Sequence, residues 1–349
     1  TLTGGANISY DTPDGGDTVT VKTGAIINTR KVADGDDATS ASVLSTGNSG
    51  NIAITSPNIV IESGAVLDAS VKNVGSATIY KAGDITLTAK QSSNWATFVA
   101  LSDANTSIDV AGTLKGKDIT MLSSIESKAL FGGVAASAQE KALDLAMTYF
   151  DSPLRLSLTY VQAKGDAKVN IQSTASIQAS NDLNITAKAD RYAGAQQQVG
   201  GSALANLGAG FAQLEGTTQI EVKSGASLTA GNDLNLIAAS KSKVLMTSKV
   251  ETETNEATGA ANMASVVFAG SRSDVSTAVK VNSGATLQSG QNLTMEAYHS
   301  GQYNTAAEVT IYGGGTAGVV TMEDFLEVQE DLVLVMFHLK QWMMGLLDY

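Results

Sequence analysis

A short unit recurs along this chain, and it constrains the fold more than any other feature of the sequence. Each copy has a small-residue turn followed by a Leu or Ile, and these marker residues are Ile27, Leu67, Leu114, Ile177, Leu228 and Leu287. The markers are separated by 40, 47, 63, 51 and 59 residues, so segments of variable length lie between constant units. This arrangement is typical of repeat proteins, in which each unit packs on its neighbours.

A second motif follows the marker in each copy. Apolar residues alternate with polar or small ones, as in Leu183/Ile185, which predicts a short strand with one buried face. The residue before each of these strands is Asp or Asn, and the six are Asn51, Asp84, Asp118, Asp182, Asp233 and Asn292. Such side chains bond nearby backbone amides at tight corners. We interpret the six as a structural corner ladder rather than as catalytic carboxylates.

Short strands, Gly and Asn corners and a variable insertion per unit predict an all-β chain. The specific prediction is a parallel β-helix (β-solenoid) over residues 1–320, with irregular insertions between its coils. Only three prolines occur in 349 residues, which leaves the backbone N–H groups free for strand pairing. Crossovers between parallel strands are right-handed by default, so we expect a right-handed helix. At about 20 residues per three-strand coil, we expect on the order of 16 coils.

Several repeat phrases resemble those of large bacterial filamentous surface proteins. The phrases are GNIAIT at 50–55, SGAVL at 63–67, GDITLTA at 83–89 and SGASLTAG at 224–231. The chain is similar here to filamentous-haemagglutinin-like and leukotoxin-like adhesins, over about residues 1–315. The resemblance implies a secreted or surface-anchored extracellular rod that attaches bacteria to cell-surface glycans or proteins. Because the repeats are already under way at the first residues, we expect a piece of a larger parent chain.

Composition excludes several other functions. The chain has 22 Lys and Arg against 34 Asp and Glu, a formal net charge of −12. This acidity argues against nucleic acid as a partner, because such binding depends on cationic side chains that neutralise phosphates. With no cysteine and two histidines, disulfides and thiolate sites are excluded and a multi-histidine metal centre nearly so. No apolar stretch approaches the ~18–20 residues of a membrane helix, so we expect no membrane insertion by this segment.

A β-helical carbohydrate-active enzyme, either a polysaccharide lyase or a hydrolase, is the alternative function. Such chemistry needs a cationic base near clustered carboxylates, or two carboxylates on either side of the scissile bond. The arginines are scattered over different repeats among polar residues, where we expect surface roles: Arg30, Arg155, Arg191 and Arg272. We therefore predict no enzymatic activity and assign no catalytic or cofactor-binding residue.

Two glycine-rich loops concentrate carboxylates, which are the ligands that Ca²⁺ prefers. The six acidic residues are Asp11, Asp14, Asp17, Asp34, Asp36 and Asp37. Neither loop matches an EF-hand or a calcium-binding β-roll repeat. The pattern favours solvated acidic turns, with a Ca²⁺ site as the alternative.

Some segments depart from the repeat. Residues 137–150 begin with Ser137 and Glu140 at capping-box spacing and predict an external helix, with an irregular strand pair as the alternative. The Ala-, Gly- and Gln-rich stretches at 193–201 and 257–268 are interpreted as further strands or flexible loops.

The tail at 321–349 has apolar residues at helical spacing. We interpret this tail as a cap helix, as a membrane-surface helix or as residues translated from a non-native reading frame. The abrupt change in composition favours the last interpretation.

Overall fold

The computed structural model describes residues 6–12, 17–40, 42–73, 79–96, 99–131, 154–200, 205–253, 262–312 and 315–320. Every regular element in these ranges is a β-strand, and no helix occurs among them. The predicted all-β class is therefore confirmed. The expected helix at 137–150 and the atypical tail at 321–349 lie outside the described residues.

The strands differ widely in length, from three residues to twenty. The first eleven are β1 (Ile8–Asp11), β2 (Thr18–Val21), β3 (Ile26–Asn28), β4 (Ile52–Thr55), β5 (Asn58–Ile61), β6 (Val66–Asp68), β7 (Ile85–Ala96), β8 (Val99–Asp103), β9 (Thr106–Val110), β10 (Thr113–Gly116) and β11 (Ile119–Phe131). The next are β12 (Leu154–Lys164), β13 (Ala167–Ile171), β14 (Ser176–Ala179), β15 (Leu183–Gly200), β16 (Ala205–Val222), β17 (Ser227–Ala230), β18 (Leu234–Glu253), β19 (Asn262–Val281), β20 (Thr286–Ser289), β21 (Leu293–Tyr312) and β22 (Gly315–Val320).

These strands form three sheets, which the chain visits in a constant order. Sheet A contains β1, β4, β7, β11, β15, β18 and β21; sheet B contains β2, β5, β8, β9, β12, β13, β16, β19 and β22; sheet C contains β3, β6, β10, β14, β17 and β20. The chain runs from sheet A to sheet B, then to sheet C, and back to sheet A. We call one such passage a circuit. The pairings are parallel throughout, from β1 with β4 to β19 with β22, as the sequence predicted.

The marker residues form one column in sheet C. Ile27 pairs with Leu67, and the register continues through the remaining markers Leu114, Ile177, Leu228 and Leu287. The middle four have no exposed surface. This column therefore faces the core, with Ile27 and Leu287 partly buried at its two ends. Burial of each of the middle four side chains contributes roughly 1.5–3 kcal/mol to stability.

A tight turn leads into most strands of sheet C. In the first copy the Ala25 N–H donates to the Lys22 carbonyl at 2.9 Å, and Gly24 has a φ of 78°. This left-handed conformation is easy for glycine and strained for other residues. The copy at Gln172 closes the same turn, with a 3.0 Å bond from the Ala175 N–H, without a positive φ. Local backbone geometry therefore explains the glycines of this turn that have a positive φ, which are Gly24, Gly64, Gly225 and Gly284.

The predicted number of coils is wrong. Sheet A has seven strands within the described ranges rather than about sixteen, because the segments interpreted as insertions are largely strand. The stretch at 193–201 belongs to β15 as far as residue 200, and the described part of 257–268 belongs to β19. In the later circuits, strands of up to 20 residues add length well beyond the ~20 residues expected for three short strands. In the first two circuits the strands have three or four residues, and the added length lies between β3 and β4 and between β6 and β7.

The core has two main parts. Residues from all three sheets form the first, which includes Ile85 and Leu183 of sheet A and Val169 of sheet B. The second lies where the long strands of sheets A and B continue past the first, and it contains Val161, Val244 and several alanines. Small side chains in the second part are consistent with a close approach of the two sheets.

Candidate functional site

The six Asp and Asn residues of the corner ladder lie in one column at the entry to sheet A. The Oδ1 atom of each accepts the backbone N–H of the next, with N···O distances of 2.9 Å for Asn51–Asp84, 3.3 Å for Asp84–Asp118, 3.1 Å for Asp118–Asp182, 3.2 Å for Asp182–Asp233 and 3.1 Å for Asp233–Asn292. Asn7 extends the column, since its Oδ1 accepts the Asn51 N–H at 2.9 Å. Each link satisfies a donor at a corner where the strand ladder has not yet begun.

The residues before the ladder add further hydrogen bonds to it. Lys117 Nζ lies 2.5 Å from Asp118 Oδ2, and Asn181 Nδ2 donates to Asp118 Oδ1 at 2.6 Å. Burial acts to raise the pKa of the Asp118 carboxyl, but the bonds from Lys117, Asn181 and the Asp182 N–H outweigh it, so this pKa lies below its usual value. An ionised carboxylate whose oxygens both accept hydrogen bonds is poorly placed to transfer protons.

The acidic loops lie on the surface. Asp11, Asp17, Asp34, Asp36 and Asp37 are exposed, and Asp14 lies outside the described residues. Asp37 Oδ1 accepts the Thr39 N–H at 2.8 Å and its hydroxyl at 2.7 Å, and these bonds lower the pKa of the Asp37 carboxyl. Nowhere in the described ranges do three His, Asp or Glu side chains come close enough to hold a metal ion.

A cleft of about 440 Å³ lies at the corner between sheets B and C. Two carboxylates that the sequence analysis did not single out, Glu62 and Asp109, line it. Glu62 Oε2 accepts the Thr23 N–H at 2.8 Å and hydroxyl at 3.1 Å, and these bonds lower the pKa of the Glu62 carboxyl. Asp109 Oδ1 accepts from Asn170 Nδ2 at 2.8 Å. A general acid needs a raised pKa, so the environment of Glu62 is the opposite of what an acid–base pair requires.

The expectation of surface roles for the arginines is wrong for Arg191 and Arg30. Arg191 has no exposed surface, and Arg30 is 5% exposed. Arg191 donates to the Gly165 carbonyl from Nε at 3.0 Å and from Nη2 at 2.6 Å, and to Ser240 Oγ at 3.2 Å. Its inward direction follows from the alternation of β15, in which Ala187 and Ala189 are also buried. That period of two was the sequence signal that could have identified it.

Burial lowers the pKa of the Arg191 guanidinium to about 10, against the opposing effect of the nearby Asp166 charge. The guanidinium lies beside the bend between β12 and β13. There Gly165 and Gly216 pack so closely that a Cβ on Gly216 would lie 1.9 Å from the Gly165 carbonyl oxygen. The arginine therefore holds sheet A to the bend in sheet B, and solvent cannot reach it.

The outer faces of the sheets carry polar side chains in register. Asn235 Nδ2 donates to Asn184 Oδ1 at 2.9 Å across two strands of sheet A, and Asn170 bonds Asp109 across sheet B. Each of these bonds links neighbouring circuits through side chains that alternate with buried ones along the strand.

Among the described residues there is no helix long and apolar enough to cross a membrane. No protein-family model, no curated protein and no solved structure matches this chain.

Proposed function

We propose that the three sheets close into a right-handed parallel β-helix, and that this helix is a structural segment of a bacterial surface adhesin. The constant order of the sheets supports closure, because each circuit returns the chain to the strand beside its starting strand. Right-handed crossover is the strong preference of parallel strands. Cryo-electron microscopy of the chain tests this part, and walls that do not enclose a common core would contradict it.

The in-register columns are the observation that carries the proposed role. A stack whose backbone groups pair circuit by circuit, and whose corners are linked by side chains such as Asp118 and Asp182, is a stiff support. Seven strands of sheet A at ~4.8 Å spacing give about 30 Å of axial length. A 20-residue strand spans about 65 Å across it. The segment is a short, broad section of a rod and not the ~75 Å rod that sixteen coils would give.

The proposed rod belongs to a secreted or surface-anchored protein at the bacterial cell surface. Its partners are cell-surface glycans or proteins, which contact the flat polar faces, and the rest of a larger parent chain. Multivalent contact along such faces turns weak single interactions into firm attachment.

Attachment is tested by displaying the chain on beads and measuring retention on host cells and on bacterial cells. Beads that carry an unrelated β-helix of equal size are the matched control. We expect greater retention than with the control. Equal retention would mean that this segment contributes length but no binding.

A further inference from the structure

The outer face of sheet A carries a concentration of positive charge in an acidic protein. Four exposed lysines lie on neighbouring long strands: Lys90 on β7, Lys188 on β15, and Lys241 and Lys243 on β18. We call these four the basic face. Their neighbours along the strands, such as Ala189 and Ser242, are buried, so alternation directs the lysines outward.

The register fixes the spacing of the basic face. Lys90 and Lys188 both pair with Ser124, so they lie two strands apart in the same row, about 10 Å from each other. Lys243 lies in a row with Tyr192, and its Nζ is 5.0 Å from the centre of that ring. The rows run across the strands, so they offer a straight track for an extended chain.

Opposite charge near the basic face is limited. None of its four lysines forms an ion pair with a carboxylate of the described residues. Two carboxylates lie among these lysines: Glu126, which pairs with Lys128 and also feels the charge of Lys90, and Asp190, which is in register with Lys241. The face is therefore locally positive although the whole chain has a net charge of −12.

This contrast restricts the kind of partner. Charges interact over roughly 8–10 Å at moderate salt. A narrow polyanion that follows the lysine rows meets the local positive field, whereas a wide duplex or a membrane plane would extend over more of a chain whose net charge is −12. A single acidic polysaccharide chain has this width and carries regularly spaced carboxylate or sulfate groups.

We propose that the basic face binds acidic polysaccharide chains along the rows of Lys90, Lys188 and Lys243. This inference rests on the proposed attachment function and specifies its ligand class. The attraction between the ligand's negative groups and the lysine rows supplies the affinity, and the contact with the Tyr192 ring holds the Lys243 ammonium in place.

The test measures binding of the 349-residue chain to immobilised heparin, a sulfated chain, and to alginate, a carboxylated one. Dextran is the neutral control. We expect retention on at least one acidic matrix at low salt, elution as salt rises, and no retention on dextran. The variant Lys188→Glu/Lys243→Glu should bind at least about tenfold more weakly. The milder variant Lys188→Gln/Lys243→Gln should show a smaller loss of binding. It keeps the test valid if the charge-reversed chain folds poorly.

The matched control is Lys115→Glu/Lys223→Glu, which makes the same change in net charge away from sheet A. It should bind within about twofold of the unmodified chain. An equal loss in this control would overturn the proposal, as would no retention on either acidic matrix, or tighter capture by duplex DNA or anionic vesicles. If beads bind cells but not acidic polysaccharide, this inference alone fails. If beads do not bind cells, the attachment proposal fails, and this inference, which rests on it, fails as well.

Discussion

Replacing Arg191 by methionine should change stability little, although four hydrogen bonds disappear. Burial lowers the pKa of Arg191 from its usual value to about 10. At 1.36 kcal/mol per pKa unit, holding the charge in the fold costs about 3 kcal/mol at neutral pH. Methionine removes that cost and keeps much of the volume. It leaves the Gly165 carbonyl without its donor, which costs about 1–3 kcal/mol. The two terms nearly cancel.

Two further variants make the comparison sharp. Arg191→Ala loses the same bonds and opens a cavity, so it should be about 2–5 kcal/mol less stable than Arg191→Met. Arg191→Lys keeps a buried charge but cannot make the paired bonds to Gly165, so it should also be much less stable than Arg191→Met. Arg272→Met, at a site exposed to solvent, is the control and should stay within about 0.5 kcal/mol.

Urea unfolding followed by far-UV circular dichroism measures these differences as shifts of the midpoint, provided that the slopes agree among variants. If Arg191→Met lost as much stability as Arg191→Lys, the reasoning would be refuted. The hydrogen bonds to Gly165, Ser240 and Thr218 would then contribute more than the buried charge costs.

Three other outcomes are expected. Asp182→Ala leaves the Asp233 N–H without its acceptor and should cost about 1–3 kcal/mol in urea unfolding, whereas Asp182→Asn keeps an Oδ1 and should cost less. Because the Asp118 pKa is lowered in the fold, its contribution to stability is present above pH 3.8 and is lost as pH falls below it; Asp118→Asn should flatten this acid limb of a pH–stability curve. Incubation with acidic or neutral polysaccharides should release no product, and release that Glu62→Gln abolishes would favour the enzyme alternative.

The parts of the fold that the sequence predicted are those with local signals. A glycine turn followed by a Leu or Ile identifies sheet C, and an Asp or Asn before an alternating strand identifies the start of sheet A. Both signals depend on backbone geometry within a few residues. They could therefore be read without knowledge of what packs against them.

The long strands escaped prediction because their buried positions carry weak hydrophobic signals. In β15 the inward residues after Ile185 are Ala187, Ala189, Arg191 and Ala193, which lack the bulk that marks a buried strand face. Two sheets that approach closely need small residues between them, so packing partners and not local propensity select these side chains. The basic face was missed for a similar reason, since only the register brings Lys90, Lys188 and Lys243 to one surface.

The graded strand lengths also have a mechanical consequence. The hydrogen bonds between circuits point along the stack, so a force applied along the stack stretches them directly. The bonds between two neighbouring strands share that force. Near the amino-terminal end β1 pairs with β4 over four residues, whereas β18 pairs with β21 over twenty. Under tension the described stack should therefore yield first at its amino-terminal circuits and extend in steps of increasing force.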